Sequence, residues 1–193
     1  VANKYEYRML LIFDWDGTLA DSREHIVAAM QAAITSLQLP VQTDNRCAQM
    51  IGLGLKETAL KLFPHFYNNG FDEQEGLDQS GLEQFANNYS SHFVDLKQQY
   101  GPTQFFPGAI KTLEQLKAQG HLLAVATGKS RRGLDRALAA DNLVDLFIAT
   151  RAADETASKP NPMMLEALLH ETQMSAEQAV MIGDTSYDMQ MAA

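Results

Sequence analysis

The stretch LIFDWDGTLADS, residues 11–22, sets two carboxylates, Asp14 and Asp16, one residue apart at the end of an apolar run and just ahead of Gly17. Carboxylates held that close raise each other's pKa and oppose folding unless something offsets the repulsion. A bound cation is the direct remedy. Other groups along the chain have types suited to the same chemistry. Thr127, Gly128 and Lys129 follow an apolar run, Lys159 precedes Asn161-Pro162, and Gly183, Asp184, Thr185 and Asp188 follow the apolar run Ala179–Ile182. A few carboxylates together with a phosphate suit a hard, oxygen-ligated cation such as Mg²⁺. One carboxylate can attack phosphorus and form an aspartyl-phosphate, while a second acid protonates the leaving oxygen and then activates water. A threonine hydroxyl, backbone amides beyond a strand end and a lysine can hold phosphoryl oxygens as charge builds. Each group alone is an ordinary turn or a solvated side chain; their value depends on whether the fold brings them together.

The elements between them say that it does. Met9–Phe13 has the length of a fully buried strand and no helical period. Gly120 gives a C-terminal stop to a helix over Ala109–Gln119, and HLLAVAT, His121–Thr127, reads as the next strand. Ser130 caps a helix carrying Leu134 and Leu138, and a short strand is expected at Leu146–Ala149. Asn161-Pro162 opens a helix over Met163–Glu171. Ser175 and Gln178 have capping-box spacing ahead of the strand Ala179–Ile182. Strands alternating with helices imply an α/β fold, a Rossmann-like parallel sheet with helices on both faces. In such sheets ligands bind beyond the carboxyl ends of the strands. Asp14, Asp16, Gly17, Thr18, Thr127, Gly128, Lys129, Gly183, Asp184 and Asp188 all fall at such ends, with Lys159 in a nearby loop.

Between the first strand and the rest the pattern is helical. Ser22 is placed to cap a helix whose apolar residues run from Ile26 to Leu37, ending at Pro40. Helix is expected again over Asp44–Met50 and Leu55–Phe63, with Gly52 and Gly54 breaking the pattern between them. NNGFDEQEG, Asn68–Gly76, reads as a polar loop, and a last stripe runs from Leu82 to Leu96. No strand is expected between about Ala20 and Tyr100. This divides the chain into a core, residues 1–19 and 103–193, and an inserted all-α cap, residues 20–102. The chain crosses between them twice, a plausible hinge. A doubly wound sheet would add one more strand after Met191-Ala192-Ala193, so the core as given is expected to lack its last strand.

FDWDGTLADS, ATGKS, Lys159-Pro160 and GDTSYDM resemble, in order, the four motifs of the haloacid dehalogenase superfamily. The helical insertion, with IGLGL at Ile51–Leu55, is similar to the cap of the phosphoglycolate phosphatase-like branch. The resemblance implies that Asp14 is the nucleophile and Asp16 the general acid/base, that Thr127 binds the phosphoryl group and that Lys159 orders the charges. It implies Mg²⁺ held by Asp14, the Asp16 backbone carbonyl and Asp184, with Asp188 close by. The second aspartate, which true dehalogenases lack, favours phosphate chemistry. Within the cap, the Gly52–Gly54 break could let the backbone approach a ligand, and Lys56 reads equally as a partner for a substrate carboxylate or as a solvated helix-start lysine.

The reading is therefore a Mg²⁺-dependent phosphatase of a small phosphate ester such as phosphoglycolate. A sugar phosphomutase uses the same core and is the alternative. A receiver-type signalling domain also uses Asp, Mg²⁺, Thr and Lys, but its phosphorylated Asp ends a later strand and no helical insertion follows. The formal net charge of −9 and pI of about 4.9 leave no basic stripe for nucleic acid or an acidic membrane. Arg131-Arg132 is the only adjacent basic pair and reads as a solvated helix face. Cys47 is alone, so neither a disulfide framework nor a thiolate metal site is available, and a cytoplasmic location fits. VANKYEYR lacks a signal-peptide core, and no stretch is long and apolar enough to cross a membrane. Oligomeric state is not legible.

Overall fold

The computed structural model describes residues 8–64 and 79–193; the polar loop expected at Asn68–Gly76 and most of VANKYEYR lie outside them. Four parallel strands, β1 (Leu10–Phe13), β4 (Leu122–Thr127), β5 (Ala149–Ala152) and β6 (Ala179–Ile182), form a sheet in the order β5-β4-β1-β6. β1 is central, with Phe13 beside Val125 on one side and Ile182 on the other. Alternation along the strands buries both faces, as side chains of successive residues must. Phe13, Leu123 and Val125 pack against Leu113 of α5 (Ala109–Ala118) and Leu134 and Leu138 of α6 (Arg131–Ala140). Leu10, Ile12, Ala124 and Ala126 pack against Met164 and Leu168 of α7 (Met163–Thr172) and Met191 of α8 (Ser186–Ala192). The fold is the expected Rossmann-like α/β core.

The inserted helices are α1 (Arg23–Ser36), α2 (Asp44–Ala48), α3 (Leu55–Leu62) and α4 (Gln79–Tyr100). They share a separate apolar centre that includes Ile26, Met30, Ile34, Phe63, Leu82 and Phe85. Phe63 meets Phe85 edge-on at 6.0 Å. This is the helical cap.

Four local expectations are corrected. The stretch after Leu19 is not free of strand: β2 (Ala20–Asp21) pairs antiparallel with β3 (Gln104–Phe105), and the Phe106 amide donates to the Leu19 carbonyl at 2.9 Å. Two residues are too short to leave a period in the sequence. The strand expected at Leu146–Ala149 runs instead over Ala149–Ala152, because Val144–Leu146 forms one 3₁₀ turn. Ser22 does stand at the start of α1, but its side chain makes no cap hydrogen bond; its hydroxyl donates to Asp16 Oδ1 at 2.7 Å. At α7 the N-cap position falls on Pro162 rather than Asn161, so the proline stands just outside the helix; the remaining helix signals act as expected. The Ser130 hydroxyl accepts from the Gly133 amide, Asn161 Oδ1 accepts from the Met163 amide, and Ser175 and Gln178 form a capping box around a 3₁₀ turn.

Candidate active site

The carboxyl ends of β1, β4 and β6 meet under the cap. β1 runs straight into Asp14, whose amide donates to the Ile182 carbonyl at 2.9 Å and so stays in line with the sheet. The Asp14 side chain is fully buried. Its Oδ1 accepts from the Trp15 amide at 2.7 Å and pairs with Lys159 Nζ at 2.9 Å, whereas Oδ2 has no partner. An unpartnered buried carboxylate oxygen is costly, which marks it as an atom reserved for something outside the chain. Burial dominates its titration and pushes the Asp14 carboxyl up to about 7 despite Lys159.

Lys159 is buried and bridges two acids, reaching Asp188 Oδ1 at 2.6 Å. Burial works against its charge, but Asp14 and Asp188 together hold its pKa above the ordinary lysine value. The other oxygen of Asp188 accepts from the Thr185 amide at 3.1 Å and hydroxyl at 2.7 Å, in a capping box that opens α8. Asp184 is exposed at the cluster's rim, where Thr18 donates to its Oδ1 at 3.0 Å; partial burial raises its pKa. Oxygens of Asp14, Asp184 and Asp188 lie within 4.8 Å of one another. Two glycines allow this approach. A Cβ on Gly183 would stand 2.3 Å from Asp188 Cγ, and one on Gly17, at φ +91°, 2.4 Å from Asp184 Oδ2. Hard oxygen donors around an orphaned carboxylate oxygen fit a small divalent cation.

Asp16 faces a different partner. Both its oxygens lie 2.9 Å from Lys129 Nζ, and Ser22 donates to Oδ1. The repulsion between Asp14 and Asp16 is therefore met by two separate lysines, and the Asp16 carboxylate stands outside the three-acid cluster. The Asp16 backbone carbonyl remains that residue's candidate metal contact. Lys129 in turn lies 5.1 Å from the ring centroid of Phe93 on α4, so a core cation rests against the cap. Tyr89, also on α4, has its hydroxyl pKa raised by burial and by the charge of Asp16. Sequence reasoning missed Ser22, Tyr89 and Phe93 as neighbours of the site. Only ADS, so close behind Asp16, carried a signal.

Thr127 is buried at the end of β4, its hydroxyl accepting from the Lys129 amide at 3.2 Å. Gly128 is where the cap touches down: a Cβ there would lie 2.5 Å from the Gly52 carbonyl oxygen. The Gly54 amide donates to the Ser158 hydroxyl at 2.8 Å, and Gly52 adopts φ +96° over Thr185. The Gly52–Gly54 break thus seats the cap on the core and also lines the cavity between them. Lys56 does not belong to the site. It is exposed on the first turn of α3 and is not among the residues that line the cavity. One residue past a helix start was too little to fix its direction.

That cavity has a volume of about 730 Å³. Asp14, Asp16, Thr127 and Lys129 line it, together with residues of α1, α4 and α6. A doubly wound sheet with an acidic cluster at its carboxyl edge and a helical cap over it defines a capped hydrolase of Rossmann-like type. The chain belongs to the haloacid dehalogenase-like hydrolase family, whose model matches residues 11–193. It is 30% identical to a phosphoglycolate phosphatase of Aliivibrio fischeri over 97% of this chain and 81% of that protein. It is 32% identical to a probable phosphatase, IndB, of Dickeya dadantii over 95% of this chain and 76% of that one. The solved structure of a hydrolase from Pseudomonas syringae superposes with a TM-score of 0.80 at 23% identity, covering 96% of this chain and 79% of that chain, which shows the shared fold. No helix among the described residues is long and apolar enough to cross a membrane.

Proposed function

We propose that the protein is a Mg²⁺-dependent phosphatase of small phosphate monoesters that works through an aspartyl-phosphate on Asp14. The observation that carries the reading is the buried Asp14 carboxylate, which clusters with Lys159, Asp184 and Asp188 and keeps its Oδ2 without a partner. Residues 1–19 and 103–193 form the catalytic core and 20–102 the cap. Asp14, Asp184 and the Asp16 carbonyl would hold Mg²⁺; Asp188, with both oxygens engaged, backs the site. Bound Mg²⁺ would supply positive charge against the phosphoryl oxygens and the clustered acids.

An Asp14 oxygen attacks phosphorus, the ester P–O bond breaks, and Asp16 passes a proton to the leaving oxygen. Water then attacks the phosphoryl-Asp14, giving its proton to Asp16 and releasing inorganic phosphate. Thr127, at the end of β4, would hold a phosphoryl oxygen. Lys159 fixes the orientation of Asp14 through Oδ1. For Asp16 to carry a proton, the hold of Lys129 must loosen, and the dianionic phosphate is the competitor that draws Lys129 away. The relatives named phosphoglycolate phosphatase make phosphoglycolate an ester to try early, and the lone Cys47 fits work in the cytosol.

The test is inorganic phosphate release from p-nitrophenyl phosphate and a panel of esters, with Mg²⁺ and with EDTA. Metal-dependent release by the wild type and a loss of about a thousandfold or more in Asp14→Asn are expected. No release from any ester, or an Asp14→Asn rate above that level, would refute the reading.

A further inference from the structure

Tyr187 reaches from the core into the cap. It stands on the first turn of α8, next to Asp188, yet its half-buried ring packs against the apolar centre of the cap. Its hydroxyl donates to the Gln49 carbonyl, at the end of α2, at 3.4 Å and accepts from Lys61 Nζ of α3 at 3.5 Å. The same ammonium lies 4.8 Å from the ring centroid. Lys61 forms no ion pair among the described residues, so the Tyr187 ring and hydroxyl are what its charge rests on. The catalytic scheme has no use for Tyr187, although GDTSYDM carries it between Asp184 and Asp188.

The inner side of the same turn belongs to the acid cluster. Asp188, one peptide link on, is fully buried and takes Lys159 on one oxygen at 2.6 Å and the Thr185 amide and hydroxyl on the other. Lys159 in turn holds Asp14 at 2.9 Å. Thr185 also meets the cap, since a Cβ on Gly52 would stand 3.2 Å from its hydroxyl oxygen. From Lys61 to Asp14 the path therefore runs through touching groups: an ammonium on a ring, one peptide link, a carboxylate, a second ammonium and the nucleophile. A cap lifted from the core would strip the Tyr187 ring of every one of these cap partners and expose its apolar face, which is unfavourable. The first turn of α8 would lose its outer support. Oxygens of Asp184 and Asp188 lie within 4.8 Å of one another and of Asp14, a spacing that depends on where this turn sits.

We propose that Tyr187 is a positioning residue that couples the seating of the cap to the acid cluster, so that the seated cap and bound Mg²⁺ favour one another. The proposal rests on the metal site of the phosphatase reading and adds the cap to what sets its affinity. The coupling is reciprocal: whatever factor the seated cap adds to Mg²⁺ affinity, Mg²⁺ adds to the seating of the cap.

The experiment is calorimetric titration of Mg²⁺ into metal-free protein, with hydrogen exchange of the α3 amides followed alongside. Tyr187→Ala should weaken Mg²⁺ binding by roughly fivefold or more, the lower end of coupling between linked sites. Tyr187→Phe keeps the ring and should stay within about twofold of the wild type, because the hydrogen bonds it loses are long. Mg²⁺ should slow exchange in α3 of the wild type and leave it unchanged in Tyr187→Ala. Lys61→Ala gives the sharper test, because this residue is exposed on the cap and its loss spares α8. Removing a positive charge by itself tightens the binding of a cation. The coupling demands the opposite sign, a weakening of about two- to fivefold, as an exposed cation–π contact allows. Mg²⁺ binding that is unchanged or tighter in Lys61→Ala, or α3 exchange in the wild type that ignores Mg²⁺, overturns the proposal and leaves the phosphatase reading standing. Absence of Mg²⁺ binding by the wild type overturns the metal site and the proposal together.

Discussion

Asp14→Asn in metal-free protein isolates the electrostatic cost of the site. Burial lifts the Asp14 carboxyl from 3.8 to about 7 even with Lys159 at 2.9 Å. The folded protein therefore keeps this proton over a range where the unfolded chain has released it. Stability must fall as pH climbs from about 4 to about 7 and then level off. At about 1.36 kcal/mol per tenfold change in proton affinity, the loss reaches about 4 kcal/mol. Asparagine keeps the shape and has no proton to lose, so it escapes this loss. Urea unfolding of wild type and Asp14→Asn, in EDTA from pH 3.5 to 8, gives the result directly. The variant's advantage should be near zero at the acid end and approach about 4 kcal/mol at pH 8. In melting temperature this is about 8–16 °C for a chain of this size. An advantage that stays constant across the range, or that shrinks as pH rises, would refute burial as the dominant influence on Asp14.

Mg²⁺ at a hundred times its dissociation constant should stabilise the wild type by about 2.7 kcal/mol. The increase should be greater at pH 8 than at pH 5, because the ion and the proton compete for Asp14; thermal melts with and without EDTA check this. Asp16→Asn should slow turnover by roughly a hundredfold or more while keeping the Mg²⁺-induced shift in melting temperature, since its carboxylate contacts Lys129 and Ser22 outside the three-acid cluster. Loss of that shift would place the Asp16 side chain on the metal. Gly128→Ala should lower kcat/KM for every ester by a similar factor, because its Cβ would strike the Gly52 and Leu53 carbonyls and lift the cap from the core. A crystal structure of that variant with the Gly54–Ser158 hydrogen bond intact would count against the explanation.

The core was legible because its signals are local and dense. β1 is an apolar run ending in an acid, and the Ser130, Asn161 and Ser175 caps mark their turns by side-chain chemistry alone. The placement of Asp14, Thr127, Asp184 and Asp188 followed from strand ends in a parallel sheet, and Lys159 from the loop ahead of α7. What stayed hidden depends on partners far away in sequence. Ser22 stands where a cap belongs, but its hydroxyl goes to Asp16. The salt bridge that offsets Asp16 reaches 113 residues along the chain, so a metal ion was the nearer explanation. Arg131 and Arg132 read alike as a solvated pair, yet one is tied to Asp135 and Glu155 and the other faces the cavity. A helical wheel cannot distinguish them without knowing which face α4 covers.

The ribbon formed by β2 and β3 has a bearing on how such a protein can change over time. Ala20 and Phe105 are paired neighbours, so more than eighty residues leave and re-enter the sheet unit at a single strand spacing. To β1 and α5 this excursion has the footprint of a tight hairpin, whatever its length. The entropy of closing it grows only slowly with added residues, and the ribbon's own hydrogen bonds hold its mouth shut. Segments of quite different size and sequence can thus be exchanged between Asp21 and Gln104 with β1 and Asp14 left in register. The chemistry at the sheet's edge and the shape of the chamber above it are free to diverge at different rates.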